Sequence, residues 1–189
     1  MRATSIFSLL LIAGCTRSSS VGSPATPPAP APAQPAITPR AQATATINDV
    51  SNTRIGSANF ADTPAGLLVS GTVTGLGIGA HGVHLHTIGS CQAPAFTSAG
   101  GHFNPGRKQH GYKNPSGHHA GDLPNIIAPP AGAHSFQFLV EGVKLTGNDG
   151  LLDADGAALV IHSSEDDYLT DPTGNSGGRL ACGVITPAR

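Results

Sequence analysis

This sequence of 189 residues contains no tryptophan, and only 4% of its residues are aromatic and 11% charged. Few runs of good helix formers remain between its 25 glycines and 16 prolines, which favours turns and short strands over helices. The formal net charge of -1 excludes a polycation that binds nucleic acid by neutralising phosphates. No helix-sized segment is apolar enough to span a bilayer. We therefore expect an all-β domain without a nucleic-acid partner.

The N-terminus has the pattern of an export signal. Residues 1–14 carry one positive charge at Arg2 and an apolar run that is too short to span a membrane. They end in IAG before Cys15, which resembles a bacterial lipobox whose cysteine is diacylated after cleavage. The alternative is an ordinary signal peptide that is cut a little later. The lipobox predicts an extracytoplasmic protein, in the periplasm or cell envelope, anchored to a bacterial membrane by lipid at Cys15.

Residues 15–41 are rich in proline and alanine and include the run TPPAPAPA. Such a segment buries too little apolar surface to offset the entropy lost on ordering, and repeated proline favours extended geometry. We interpret it as a disordered tether, in which ~25 residues at ~3 Å each could span about 75 Å. The folded domain is then predicted over 42–189.

From residue 42 onward, short apolar stretches alternate with glycine, asparagine, aspartate and proline. The alternation predicts strands over 43–50, 54–61, 66–74, 82–88, 134–140 and 157–162. Strands at this spacing suggest an antiparallel sandwich or barrel. Between Gly89 and Pro130 regularity disappears, and so long a loop in a compact domain needs a function, a crosslink or a metal to order it.

All nine histidines lie between His81 and His162, and three of them fall in the motif HGVHLH at 81–86. In a strand, successive side chains point to opposite faces, so Val83 and Leu85 would share one face and His84 and His86 the other. The apolar pair can enter a core. The two imidazoles, about 7 Å apart at their backbones, can chelate one metal ion.

The long loop supplies further potential ligands. His102, His110 and His119 are eight and nine residues apart, and Asp122 follows three residues after the last. Three imidazoles and a carboxylate suit tetrahedral zinc. His162 ends the apolar strand LVIH and adds another imidazole. A single histidine is more often a satisfied core or surface residue than a ligand, but jointly these residues are hard to assign to chance.

The three cysteines can be sorted by compartment. If Cys15 is lipidated, Cys91 and Cys182 remain as an even pair in an oxidising setting, where a disulfide is expected. The bond would tie the start of the long loop to the C-terminal strand, worth about 4 kcal/mol in the chain-entropy model. The alternative is a pair of buried thiols.

Four motifs together resemble the bacterial exported copper,zinc superoxide dismutases: HGVHLH at 81–86, GHFNP at 101–105, HAGD at 119–122 and GNSGGRLACGVI at 174–185. They cover the domain from about Ala43 to Ala188 at consistent spacing. The resemblance implies an eight-stranded Greek-key β-barrel of immunoglobulin-like sandwich architecture, with long metal-binding and electrostatic loops. It also implies an oxidoreductase that converts superoxide to dioxygen and hydrogen peroxide.

The same resemblance implies two metal cofactors. Copper would be held by His84, His86, His102 and His162, and zinc by His102, His110, His119 and Asp122. The imidazolate of the shared histidine would bridge the two metals. Copper would cycle between Cu(II) and Cu(I), whereas zinc has no redox chemistry and would serve as a fixed charge.

Other residues receive supporting roles by resemblance. Asp166 would link His84 to His110, because outer carboxylates fix the orientation of ligand rings. Arg179 would dock the superoxide anion beside copper, and Thr173 would narrow the channel. The segment 165–178 lacks lysine, so any guiding charge must come from Arg179, from Arg107, Lys108 or Lys113, or from the metals.

The resemblance also pairs Cys91 with Cys182 in the family disulfide. Among the other histidines, His118 is expected to be solvated and His81 to be structural, while His134 has no assigned role. The loop before the first cysteine is divided as in bacterial members of the family, so dimer contacts of eukaryotic members cannot be transferred. A homodimer therefore stays open.

Two non-enzymatic functions are alternatives to this interpretation. A protein of the same fold could store or deliver copper without turnover, and a missing His162 or Arg179 would favour it; both residues are present. A surface adhesion module on a proline-rich stalk leaves the histidine spacing unexplained. We therefore predict a superoxide dismutase whose site lies outside the barrel wall, under 89–130 and 163–178.

Overall fold

The computed structural model describes residues 42–188, so the predictions for 1–14, Cys15 and the rest of 15–41 fall outside the described residues. The elements are β1 (Gln42–Asp49), β2 (Arg54–Thr63), β3 (Gly66–Val73), β4 (Gly79–His81), β5 (Val83–His86), a 3₁₀ turn (Thr97–Ala99), β6 (Ile126–Ala128), β7 (His134–Val140), β8 (Ala158–His162), β9 (Arg179–Val184) and β10 (Thr186–Pro187). The predicted all-β class is confirmed, because the single 3₁₀ turn is the only helical element within 42–188.

The strands follow the period-two burial that their sequences indicate. In β1, Ala43, Ala45 and Ile47 are buried, while Thr44 and Thr46 between them are exposed. Alternation of this kind places the apolar side chains on one face of the sheet and leaves the polar face to solvent. In contrast, β5 and β8 are buried at every position, so both of their faces are covered.

The strands pair in the order β5-β8-β9-β1-β2-β3-β7, with β10 also pairing with β1, and β4 pairs with β6. Every pair is antiparallel. Only Gly82 separates β4 from β5. When these two count as one strand, their partner β6 joins the end of the main path, which then has eight strands. Because β3 pairs with β7 rather than with β4, the chain leaves its initial meander and crosses to other partners, as in a Greek key. The predicted architecture is confirmed.

The sheet curls around a core of small and branched apolar side chains. Its largest fully buried members are Phe60, Ile47, Leu67, Leu85, Leu123, Ile126, Leu145, Leu151, Leu159 and Ile161. Leu85 of β5 and Leu159 of β8 face each other across a strand pair. The core therefore fixes the two strands that also carry histidines on their opposite faces.

A second, smaller cluster forms around the predicted disulfide. Cys91 and Cys182 are bonded, with their Cα atoms 5.7 Å apart, which confirms the predicted pairing. Phe96, Ala99 and Val160 pack in the same cluster. The bond closes a loop with a sequence separation of 91 residues, so in the chain-entropy model it is worth about 4 to 5 kcal/mol.

The segment between Gly89 and Pro130 is more regular than predicted. It contains the 3₁₀ turn and the strand β6, which pairs with β4 through Ala80 and Ile127. These elements are only three residues long, too short for a periodic pattern to appear in the sequence.

No helix among residues 42–188 is long and apolar enough to cross a membrane.

Candidate metal centre

Three histidines reach the site from neighbouring strands. Val83 and Leu85 of β5 enter the core, so His84 and His86 point to the other face, as the alternation predicts. β8 pairs with β5, placing Val160 opposite His84, and His162 ends the same strand. The imidazoles of His84 and His86 are fully buried.

The long loop brings two more potential ligands to the free edge of β5. The backbone of Leu85 donates to Gly121 O at 2.8 Å and accepts from Phe103 N–H at 2.8 Å. These bonds place His102 beside His86 and Asp122 beside His84 in isolated antiparallel bridges. Side chains that are twenty residues apart in sequence therefore meet on one face of β5.

One cluster consists of His84, His86, His102 and His162, all of them buried, each with a ring nitrogen within 4.8 Å of the others. Four buried nitrogens in this cluster find no hydrogen-bond partner within 42–188: Nδ1 of His84 and Nε2 of His86, His102 and His162. Unpaired buried polar atoms are costly unless a ligand such as a metal ion binds them. Four converging imidazoles fit a copper ion well.

The opposite nitrogens of these rings are held by the protein. His84 Nε2–H donates to Asp166 Oδ2 at 2.7 Å, and His86 Nδ1–H donates to the carbonyl of Gly100 at 2.9 Å. His162 Nδ1–H points at the carbonyl of Gly177 at 3.4 Å. Each bond fixes a tautomer and directs the other nitrogen toward the centre of the cluster.

Burial keeps these imidazoles neutral. Desolvation lowers the pKa of His84 to about 4, against the opposing hydrogen bond to Asp166. Desolvation, with the nearby His102, lowers the pKa of His86 to about 2. Desolvation and the neighbouring His84 lower the pKa of His162 to about 3. At neutral pH their lone pairs are therefore available to a metal without loss of a proton.

A second cluster forms around Oδ1 of Asp122. This oxygen lies 2.9 Å from His102 Nδ1, 3.0 Å from His110 Nδ1 and 3.3 Å from His119 Nδ1. The Nδ1 atoms of His102 and His119 are 3.3 Å apart. Four ligand atoms around a tetrahedral zinc at about 2.0 Å would be separated by about 3.3 Å, so these atoms fit the ion.

His84 is also close to this second cluster. Its ring centroid lies 3.9 Å from that of His102, and His84, His102, His110 and Asp122 have ligand atoms within 4.8 Å of one another. His119 is nevertheless adjacent to the second cluster, because its Nδ1 is 3.3 Å from Asp122 Oδ1. The only free nitrogen of His84 is already directed into the first cluster.

The second cluster is polarised by its carboxylates. Burial would raise the pKa of Asp122, but hydrogen bonds to His102 and His110 hold it well below its usual range. Burial would lower the pKa of His110, yet its bonds to Asp122 and Asp166 raise it to about 9. Asp122 Oδ2 also accepts from the backbone N–H of Gly111 and His119, at 2.9 and 3.0 Å. The two carboxylates therefore favour the protonated form of His110.

Asp166 contacts one ring of each cluster. It is buried, and it accepts from His84 at Oδ2 and from His110 Nε2–H at Oδ1 over 3.0 Å. Sequence reasoning missed Asn125, whose side-chain amide bonds both the N–H and the carbonyl of Asp166, each at 2.9 Å. No motif marked Asn125, because its partner lies 41 residues away. Gly174, at φ +65°, passes so close that a Cβ there would collide with the Asp166 carboxylate.

Arg179 lies at the edge of the first cluster. Its guanidinium donates to the carbonyls of Phe96 and Gly100, both at 2.6 Å. The same Gly100 carbonyl accepts from His86, so the cation is held directly beside this ring.

Thr173 is exposed in the same loop as Asp166, and its carbonyl accepts from Ser176 Oγ at 2.8 Å. Its narrowing of a channel stays a prediction.

The other histidines lie apart from the two clusters. Both ring nitrogens of His81 are 2.8 Å from backbone carbonyls, those of His162 and Gly77, which gives His81 a structural environment. His118 is half-buried rather than solvated, because its ring packs 4.2 Å from that of Tyr112. His134 lies on β7.

Comparison with known proteins agrees with this geometry. The family described as copper/zinc superoxide dismutase (SODC) matches residues 54–185. Superoxide dismutase [Cu-Zn] 2 of Aquifex aeolicus is 46% identical over 134 residues, covering 69% of this chain and 78% of the relative. Superoxide dismutase [Cu-Zn] of Caulobacter vibrioides is 40% identical over 147 residues, covering 76% and 84%. A crystal structure of a SOD-like protein from Bacillus subtilis superposes with a TM-score of 0.73 at 37% identity, covering 76% of this chain and 97% of that one.

These matches confirm the predicted cofactors and reaction class. Copper and zinc are the family's metals, and the two clusters provide the donors that each prefers. The family's reaction is the dismutation of superoxide, an oxidoreductase activity. By its sequence match, its strand order and its two adjoining ligand clusters, the chain belongs to the copper/zinc superoxide dismutase family.

Proposed function

We propose that this chain dismutates superoxide outside the cytoplasm, with copper and zinc held by the two clusters described above. Copper would be held by Nδ1 of His84 and by Nε2 of His86, His102 and His162. Zinc would be held by Nδ1 of His102, His110 and His119, together with Oδ1 of Asp122. The observation that carries this assignment is that the nitrogens facing the copper position are buried and without a hydrogen-bond partner within the described residues.

When bound, copper supplies one-electron exchange with two successive superoxide anions, giving dioxygen from the first and, with two protons, hydrogen peroxide from the second. The protein's own groups bind the anion and manage a proton. Nε2 of His102 can hold one proton and deliver it to the product, while Nδ1 stays 2.9 Å from Asp122. Asp166 keeps the ring of His84 oriented throughout.

Arg179 is the group that binds the substrate anion. Two of its five N–H donors are used on backbone carbonyls, which leaves three to face an anion beside His86. Arginine keeps its charge at any working pH. Because loop 163–178 contains four acids and no lysine, additional attraction would come from Arg107, Lys108 or Lys113, in the loop that carries the zinc ligands, or from the metals.

The assignment is tested by His162→Ala with His134→Ala as the matched control. His162 belongs only to the copper cluster, so the variant should lose superoxide dismutation while still binding one zinc. The control removes a histidine of β7 and should keep both metals and full activity. Full activity in His162→Ala would contradict the copper assignment. Binding of both metals by the wild type without any turnover would favour the metal-handling alternative.

The location is part of the proposal. A signal peptide over 1–14, a lipid anchor at Cys15 and a tether over 15–41 agree with a domain that carries a disulfide, because disulfides persist in oxidising compartments. In a bacterial host, the protein should sediment with membranes and incorporate labelled fatty acid, whereas Cys15→Ser should be released. Equal membrane association of both proteins would refute the anchor.

The homodimer is tested by light scattering of the purified domain, where a monomer mass refutes it.

A further inference from the structure

We propose that Asp171 is a positioning residue for zinc, holding His110 and His119 from the solvent side of the site. This proposal rests on the zinc assignment above. Asp171 lies in loop 163–178, the loop that also carries Asp166, and its side chain is 47% exposed. Nothing in the spacing of the sequence motifs marks it.

The first contact of Asp171 is with the backbone of a zinc-side residue. Its Oδ1 accepts from the N–H of His110 at 2.6 Å, across 61 positions of the chain. This is a short, charge-assisted hydrogen bond. Asp166 holds the side chain of the same residue at Nε2. His110 is therefore fixed at two atoms by two carboxylates of one loop, one from inside and one from outside.

The second contact is with His119. Its Nδ1 is directed at the zinc position, so its Nε2 is the nitrogen that needs an outer partner. Asp171 Oδ1 lies 3.8 Å from this atom and is its only acidic neighbour within the described residues. That separation is longer than a direct hydrogen bond, which a small rotation of the side chain would form.

Asp171 thus completes a pattern shared by the other non-bridging rings. His84 and His110 donate to Asp166, while His86 and His162 point to backbone carbonyls. Ligating histidines generally place their second ring N–H on a carboxylate, a carbonyl or water, and loss of such a partner lowers metal affinity by about 10- to 100-fold. Because Asp171 is half-exposed and 3.8 Å away from His119, we expect the lower end of that range.

The test compares Asp171→Asn with Asp167→Asn. Both substitutions remove one negative charge from the same loop without changing side-chain size. The carboxylate of Asp167 bonds only Leu169 and Thr170 within the described residues, so this variant controls for loop charge and turn structure. Zinc dissociation constants are measured by competition with a chromophoric chelator, and cobalt(II) at the zinc position reports ligand geometry in its visible spectrum.

We expect Asp171→Asn to weaken zinc about tenfold and to shift the cobalt spectrum, while Asp167→Asn stays within about twofold of the wild type. Unfolding of the metal-free proteins should be the same for both variants. Equal zinc affinity and equal cobalt spectra in the two variants would overturn the role of Asp171 alone. If His119→Ala leaves zinc affinity unchanged, the zinc assignment fails, and the role of Asp171 fails with it.

Discussion

Replacement of Asp166 by asparagine should weaken copper more than zinc. The carboxylate accepts three hydrogen bonds: Oδ1 from His110 Nε2 at 3.0 Å and from Tyr168 N at 2.7 Å, and Oδ2 from His84 Nε2 at 2.7 Å. The side chain of asparagine has only one oxygen. At the Oδ1 position this oxygen accepts from two donors, whereas at the Oδ2 position it would accept from one. Its NH2 group then faces Nε2 of His84.

The substitution disfavours the tautomer of His84 that can bind copper. An NH2 group donates, so it favours a bare Nε2 and moves the ring proton to Nδ1, the atom that must face copper. Leaving one buried donor without an acceptor costs about 1–3 kcal/mol. At 1.4 kcal/mol per factor of ten, copper affinity should fall by about 5- to 150-fold. Zinc affinity should change by less, because the bond to His110 can persist.

The assay is separate chelator competition for Cu(II) and Zn(II) on Asp166→Asn, with Glu165→Gln as the control. Glu165 is the exposed neighbouring acid, so its replacement removes the same charge without touching either cluster. Unchanged copper affinity, within about twofold, would refute the proposed tautomer of His84 and the bridging role of Asp166. A larger loss for zinc than for copper would contradict the placement of the amide.

Two further predictions concern the substrate anion and proton release. Arg179→Ala should lower the second-order rate by about tenfold or more and flatten its salt dependence, whereas Arg179→Lys should keep the salt dependence; stopped-flow measurements at several ionic strengths decide this. Metal-free His110 has a pKa raised to about 9, so zinc binding below that pH must displace its proton. Zinc affinity should therefore rise about tenfold per pH unit from pH 7 to 8, and calorimetry in two buffers should detect about one released proton. A zinc affinity independent of pH would contradict a protonated His110.

The strand-borne part of the site could be predicted from the sequence, because a period of two determines faces. His84 and His86 had to lie opposite Val83 and Leu85, and the structure places them so. His162 followed from its position at the end of an apolar strand. For the loop residues, local patterns carried no such information, and their grouping depended on motif resemblance.

Long-range contacts explain what the sequence could not reveal. Asn125 and Asp171 act on partners 41 and 61 positions away, and neither lies in a periodic segment. Gly100 serves through its backbone carbonyl, so no side chain marks this role in the sequence. The strand β6 escaped prediction because three residues are too few for alternation to be recognised.

The most direct test is anomalous diffraction from crystals of the protein loaded with copper and zinc, with data collected at the absorption edge of each metal. We predict one copper peak bounded by Nδ1 of His84 and Nε2 of His86, His102 and His162. We predict one zinc peak on the other side of His102, within about 2.0–2.2 Å of Asp122 Oδ1. A copper peak away from these four rings, or two peaks that do not share His102, would contradict the account.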